Sequence, residues 1–257
     1  MAVEEVAASR CLYSPLRADQ ARDHTVDQRL QELETLIGGI WDRLSTEFVD
    51  LDSDSVRKAL ALLLATLYTR HPRRLVDYER SHSDLVAFFD SFPKDSQGLP
   101  SITHTVVKGK VREFVPTGFD SFRSPDKEQR KQFFVETIIR GTHAVAETLL
   151  KKRFAIVVAP APLFATCDNP LHLDHPTREK FGFGTPGTRV SLPLSPTRYL
   201  ILEDSGSPNG YYDLRDDFTD VANYRTWCAA DRYLLSSRPS DDILHEIDLF
   251  VDRRGLR

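Results

Sequence analysis

Phe164-Ala-Thr-Cys-Asp-Asn-Pro170 follows closely on the apolar run Phe154-Ala-Ile-Val-Val-Ala159. A carboxylate and an amide, Asp168 and Asn169, are thereby delivered to the end of what reads as a buried strand, where a rigid scaffold can hold functional groups. In that position Asp168 would serve as metal ligand or general base, and Asn169 would orient a substrate. Shortly after, His172-Leu-Asp174-His175 gathers metal-ligand types in one short stretch. If the segment is extended, His172 and Asp174 point to the same side, with His175 adjoining and Asp168 close behind. Arg232 and Lys180 would supply positive charge to the substrate, and a divalent metal is the cofactor that such a set would take.

Each of these features has a purely structural counterpart. Asp and Asn side chains bond to nearby backbone and start turns, and proline ends strand pairing, so Asp-Asn-Pro needs no chemistry to exist. His172, Asp174 and His175 read equally well as a polar surface loop, since no second cluster completes a coordination shell. Cys167 is either a nucleophile beside Asp168 or a small buried hydrophobe. Gly182-Phe-Gly184-Thr-Pro-Gly187 has dinucleotide-type spacing, but the strand pattern Arg189-Val-Ser-Leu follows it where a helix N-terminus is needed to hold phosphates. It reads as a loop.

The absences narrow the chemistry further. No acidic residue stands two before any lysine, Walker A and Gly-x-Ser-x-Gly are missing, and His245-Glu246 has no second histidine at metalloprotease spacing. This argues against a common nuclease core and against the familiar NTPases, serine hydrolases and zincins.

The elements that must position these groups change character midway. Leu30, Leu33, Leu36, Ile37, Ile40, Leu44 and Phe48 recur at helical spacing and predict a helix from Val26 to about Phe48, interrupted by Gly38-Gly39. Ser53 or Asp54 can cap a second helix that ends before Pro72, and a third is expected over Leu75–Phe89, with a loop at 93–100. Between Pro100 and Pro125 the pattern is weak. Pro125-Asp-Lys-Glu then opens a long helix reaching about Lys151. Beyond it, Phe154–Val158, Leu163–Cys167, Arg189–Leu194 and Tyr199–Glu203 read as short strands, Phe218–Ala230 and Asp241–Val251 as helices, and Tyr233–Leu235 as an edge strand.

The bulk composition is that of an ordinary globular protein. The 257 residues are 40% hydrophobic and 28% charged, enough for a packed core. A net charge of -4 argues against a protein that coats nucleic acid through a general basic field. No apolar run is long enough to span a bilayer, and Met1-Ala-Val-Glu-Glu lacks the marks of a signal peptide, so the expectation is a cytoplasmic protein without a membrane partner. Cys11, Cys167 and Cys228 lie far apart, which suggests neither a disulfide framework nor a zinc ribbon.

Together, Arg153-Phe-Ala-Ile-Val-Val, Phe164-Ala-Thr-Cys-Asp-Asn-Pro170, Ser191-Leu-Pro-Leu-Ser-Pro196, Tyr199-Leu-Ile-Leu202, Val221-Ala-Asn and Ala230-Asp-Arg-Tyr-Leu-Leu-Ser236 resemble the domain of unknown function 4238 family in order and spacing. Leu30-Gln-Glu-Leu-Glu34 and Arg70-His-Pro72 resemble its helical region, so the likeness extends from about residue 11. The family's Thr-Ser-Asp-Asn-Pro has cysteine in place of serine here. The chain opens on Met1-Ala-Val-Glu-Glu where members carry a His-Tyr-x-Pro segment, and so reads as a variant lacking it. The resemblance implies a fold and a site region, but no activity.

The expectation is an α+β protein in which N-terminal helices pack against a small, mostly antiparallel sheet from the C-terminal half. Residues 1–257 would form a single domain, mainly helical over 26–151 and strand-rich with closing helices over 153–257. Two functional readings stand. One is a hydrolase-like or nucleic-acid-directed enzyme, in a defence or toxin setting, with Asp168 and Asn169 at its site. The other is a non-catalytic interaction or regulatory module in which Asp-Asn-Pro is a structural turn.

Overall fold

The periodic apolar residues of the first half fold as helices in the computed structural model, which describes residues 13–17, 19–96, 98, 104–107, 110–113, 122–206, 208–215 and 217–256. Met1 to Glu5 and Cys11, discussed above, lie outside these residues. Helices α1 (Thr25–Thr46), α2 (Asp54–Arg70), α3 (Pro72–Asp90) and α4 (Lys127–Leu149) come first, with a hairpin of β1 (His104–Val107) and β2 (Lys110–Glu113) between α3 and α4. The start of α4 is encoded locally: Asp126 accepts from the Gln129 N–H at 2.8 Å while the Gln129 side chain accepts from the Asp126 N–H at 2.9 Å, a reciprocal cap. Pro72 opens α3 for the same kind of reason, because its missing N–H would have no helical partner there.

The second half builds β3 (Arg153–Val158), β4 (Thr166–Cys167), β5 (His172–Asp174), β6 (Arg189–Ser195), β7 (Arg198–Glu203), β8 (Gly210–Asp213), α5 (Phe218–Ala229), β9 (Leu234–Leu235) and α6 (Ser240–Arg254). Five strands form one sheet in the order β5-β6-β7-β3-β8, antiparallel except where β8 runs parallel to β3. This is an α+β arrangement with a mostly antiparallel sheet. Among the described residues, no helix is long and apolar enough to cross a membrane.

The sheet is covered on both faces, which explains why its strands are nearly continuous apolar runs rather than alternating ones. Phe154, Ile156, Leu192, Leu200 and Leu202 join Leu60, Leu64 and Leu149 from α2 and α4 in the main core. The alternate residues Val157 and Tyr199 pack with Phe164 and Ala222 of α5 on the other face. The stripe expected on α1 is narrower than its period suggests: Ile37 and Leu44 are buried, whereas Leu36 is 57% and Phe48 71% exposed.

One buried cation joins the halves. Arg198 on β7 is 4% exposed and donates to the carbonyls of Leu44 and Glu47, the unpaired C-terminal end of α1, with its guanidinium 5.2 Å from the Phe48 ring centre. Arg198→Met will therefore destabilise the fold by about 2 kcal/mol in urea unfolding, since it strands two carbonyls. Arg198→Lys will recover only part of this, because an ammonium lacks the fork that reaches both acceptors. A change within experimental error for Arg198→Met would contradict this role.

Candidate functional site

After β3 the chain leaves the main sheet under the control of two side-chain and loop anchors. The Leu163 and Phe164 N–H groups donate to the Pro196 carbonyl at 2.8 and 2.9 Å. The buried Asn223 of α5 accepts from the Ala165 N–H at 2.9 Å and donates to the Leu163 carbonyl at 3.0 Å. These bonds take the place of a strand ladder, so the strand expected over Leu163–Cys167 contracts to Thr166–Cys167, paired with β9. Asn223, within the Val221-Ala-Asn segment, thus holds the approach to the site. Its type and position gave no chemical signal of their own.

Asp168 and Asn169 do arrive at the end of that strand, and they turn onto backbone. The Asp168 carboxylate accepts from the Asp231 N–H and from the Arg232 N–H, each at 2.9 Å and each on a separate oxygen. The Asn169 amide donates to the Ala229 carbonyl at 3.2 Å, at the C-terminal end of α5. Asp168 N–H also reaches the Tyr233 carbonyl at 3.3 Å. The pair therefore clasps the turn between α5 and β9, satisfying helix-end and turn groups. Of Arg232, the backbone enters this arrangement; its side chain is exposed and makes no ion pair or hydrogen bond among the described residues.

The turn is tied in its own right to the helical half. The Asp231 carboxylate meets Arg73 Nε at 2.6 Å and His71 Nε2 at 3.4 Å. His71 is the N-cap of α3, and its Nδ1 accepts from the Arg73 N–H at 3.3 Å. Burial pushes the His71 imidazole below its ordinary pKa against the opposing pull of Asp231, so it is neutral at neutral pH with its proton on Nε2. Both ring nitrogens are engaged, which leaves no lone pair for general-base work. Next to it, Arg74 stacks on the Tyr68 ring at 4.4 Å and pairs with Asp77 at 2.8 Å. The constellation His71, Arg73 and Asp231 was missed as a site by residue type and spacing. The available signal was Pro72, which fixes where α3 starts and so puts His71 at its cap.

The metal-ligand types diverge instead of converging. His172 is buried, and its Nε2 lies 3.3 Å from the Thr226 hydroxyl of α5. Asp174 pairs with Arg225 at 2.5 Å. His175 holds its own loop, accepting at Nδ1 from the Thr177 and Arg178 N–H groups at 3.2 and 3.0 Å, with Nε2 3.0 Å from the Pro186 carbonyl. Among the described residues, no group of three or more His, Cys, Asp or Glu side chains is placed to hold a metal ion. The segment through Asp174 is extended as β5, so His172 and Asp174 share a side and meet the adjacent α5 residues Thr226 and Arg225, while His175, past the strand end, turns into its own loop. Lys180 stands exposed in the loop that follows. Burial pushes the Cys167 thiol up to about 11, so it stays protonated and behaves as a hydrophobe. The Gly182–Gly187 segment is a loop leading into β6, and Gly187 has a positive φ of 88°.

The strand end does border a cavity, but with other residues. Thr166 and Pro170 line an open apolar trench of about 580 Å³ together with Trp41 of α1 and Leu63 and Leu67 of α2, while Asp168 and Asn169 are not among its walls.

No curated protein and no solved structure matches this chain. The family model described as "Protein of unknown function (DUF4238)" matches residues 1–240, a span that includes the opening segment, the α3 cap, the Asp168-Asn169-Pro170 turn and β9. The chain belongs to the DUF4238 family.

Proposed function

We propose that this chain is a non-catalytic binding module in which Asp168-Asn169-Pro170 is a structural turn. The observation that carries the reading is that both Asp168 oxygens and the Asn169 amide are bonded to backbone of residues 229–232, while the neighbouring Pro170 and Thr166 face an apolar trench. A catalytic carboxylate needs a lone pair directed at substrate or metal, and a ligand trench needs apolar walls.

The test pairs stability with turnover. Asp168→Ala will lower stability by about 2 kcal/mol, because two backbone donors lose a charged acceptor. Urea unfolding measures this. The protein with added magnesium, manganese or zinc will show no hydrolysis of bis(p-nitrophenyl) phosphate, p-nitrophenyl acetate or single-stranded oligonucleotides above buffer. Turnover that Asp168→Ala abolishes in a folded protein would establish the hydrolase-like, nucleic-acid-directed enzyme instead. That second reading draws on the exposed side chains of Arg232 and Lys180, which could contact phosphates.

A further inference from the structure

The apolar trench continues past the strand end. A second cavity of about 200 Å³ shares Trp41, Leu63 and Leu67 with the first and ends at Glu34 and Arg70. One wall of this extension is Gly38, in the interior of α1. Glycine inside a helix is destabilising relative to alanine, and is normally kept where another group approaches closely. Among the described residues none does so: a Cβ at Gly38 would meet no atom within 4 Å. The missing side chain keeps the trench open.

Charge defines one end of this space. Arg70 forms an ion pair with Glu34 at 2.6 Å through one terminal nitrogen, and Glu34 is its only side-chain partner among the described residues. The remaining donors of a guanidinium match a carboxylate in planar, two-pronged fashion. A phosphate, with more negative charge beside Glu34, fits less well.

We propose that the trench binds an elongated apolar molecule with a terminal carboxylate, the chain lying against Trp41, Leu63 and Leu67 and the anionic end on Arg70. The inference rests on the binding-module reading above and names its ligand class. The main trench, at about 580 Å³, is in the range of small-molecule sites, and the narrower extension of about 200 Å³ adds room for one end of the ligand.

Dodecanoate, below its micelle concentration, is the probe, and dodecanol is the uncharged comparison. The chain has two tryptophans, Trp41 and Trp227, so a Trp227→Phe background leaves Trp41 as the reporter. Dodecanoate will change Trp41 fluorescence saturably, and dodecanol will bind more weakly. Gly38→Leu will abolish the response while raising Tm by about 2–4 °C, so that loss of binding is not loss of fold. Arg70→Gln will weaken dodecanoate about tenfold and leave dodecanol unchanged, the scale of one charged hydrogen-bond pair. Glu34→Gln will tighten dodecanoate. No saturable response, a response that survives Gly38→Leu, or equal binding of the alcohol overturns the proposal. Absence of binding without hydrolytic turnover removes this ligand class alone; turnover lost in Asp168→Ala removes the module reading whatever dodecanoate does.

Discussion

Asp204→Ala will destabilise the protein by about 3–5 kcal/mol, because it leaves a buried ammonium without its counter-charge. Lys152 is 2% exposed and donates from Nζ to Asp204 Oδ1 at 2.6 Å and to the Thr188 carbonyl at 2.9 Å. The other carboxylate oxygen, Oδ2, accepts from the Gly187 N–H at 2.7 Å, at the turn where the loop enters β6. One aspartate thus joins the end of α4, the loop and β7. Burial alone would raise the Asp204 carboxyl, but the Lys152 ammonium and the Gly187 N–H outweigh it and hold it below its ordinary value. Urea unfolding near pH 7 gives the measurement. A double replacement, Lys152→Met with Asp204→Ala, will recover most of the loss, since no charge is then left unpaired. If Asp204→Ala falls within about 0.5 kcal/mol of the native protein, the pair does not hold this corner.

The second large effect is a loss of stability in mild acid that His172 controls. Burial, reinforced by the nearby Arg225 guanidinium, depresses its imidazole from 6.5 to about 4. Around it stand Thr226 from α5, Ser191 opposite on β6, and the Arg225–Asp174 pair. The Thr226 hydroxyl donates to the Ala222 carbonyl at 3.0 Å, so toward His172 it accepts, which places the ring proton on Nε2. Above pH 6.5 the imidazole is neutral whether the chain is folded or not. As pH falls from 6.5 to about 4 the unfolded chain takes up a proton that the native state refuses, and native stability declines by about 3 kcal/mol. Below that range this contribution is flat. Asp204 acts in a separate window: its depressed pKa contributes stability above the ordinary carboxyl value of 3.8, lost only as pH drops further.

Urea unfolding from pH 7.5 to 4.5 on the native protein and His172→Gln will separate these terms. His71, also depressed by burial, pulls in the same direction as His172, so the informative quantity is the difference between the two curves. That difference will shrink toward acid, since the variant has no such proton to refuse. Parallel curves would show that His172 is not held neutral by the fold.

The helices were legible in the sequence because their signals are local. The period of Leu30 to Leu44, the Asp126 cap and Pro72 each act within one or two turns, and the observed spans of α1, α2 and α4 fall within a few residues of expectation. The central strands were legible for the same reason: Phe154–Val158, Arg189–Leu194 and Tyr199–Glu203 are short runs rich in branched and aromatic apolar residues, bounded by proline or glycine. β8 was not. Gly210-Tyr-Tyr-Asp213 is too short to announce itself, and it is a strand only because β3 has a free edge beside it. β5 was read as ligand-bearing polar sequence, and its strand character comes from pairing with β6.

The candidate site divides along the same line. Phe164 to Pro170 by itself determined that a carboxylate and an amide would be carried to the end of an apolar segment, since side-chain type and turn chemistry are properties of a few adjacent residues. Which way those groups face was decided only by the tertiary structure. Asp168 became a clasp because the folding of α5 and β9 brings the N–H groups of Asp231 and Arg232 to its two oxygens, across more than sixty residues of chain. His172, Asp174 and His175, close in sequence, do not converge because three different neighbours reach them first. The trench beside Pro170 is likewise made by α1, α2, β6 and β9 together. Hydrogen-bond partners and cavities are set by which distant elements pack against a segment, and no local pattern carries that information.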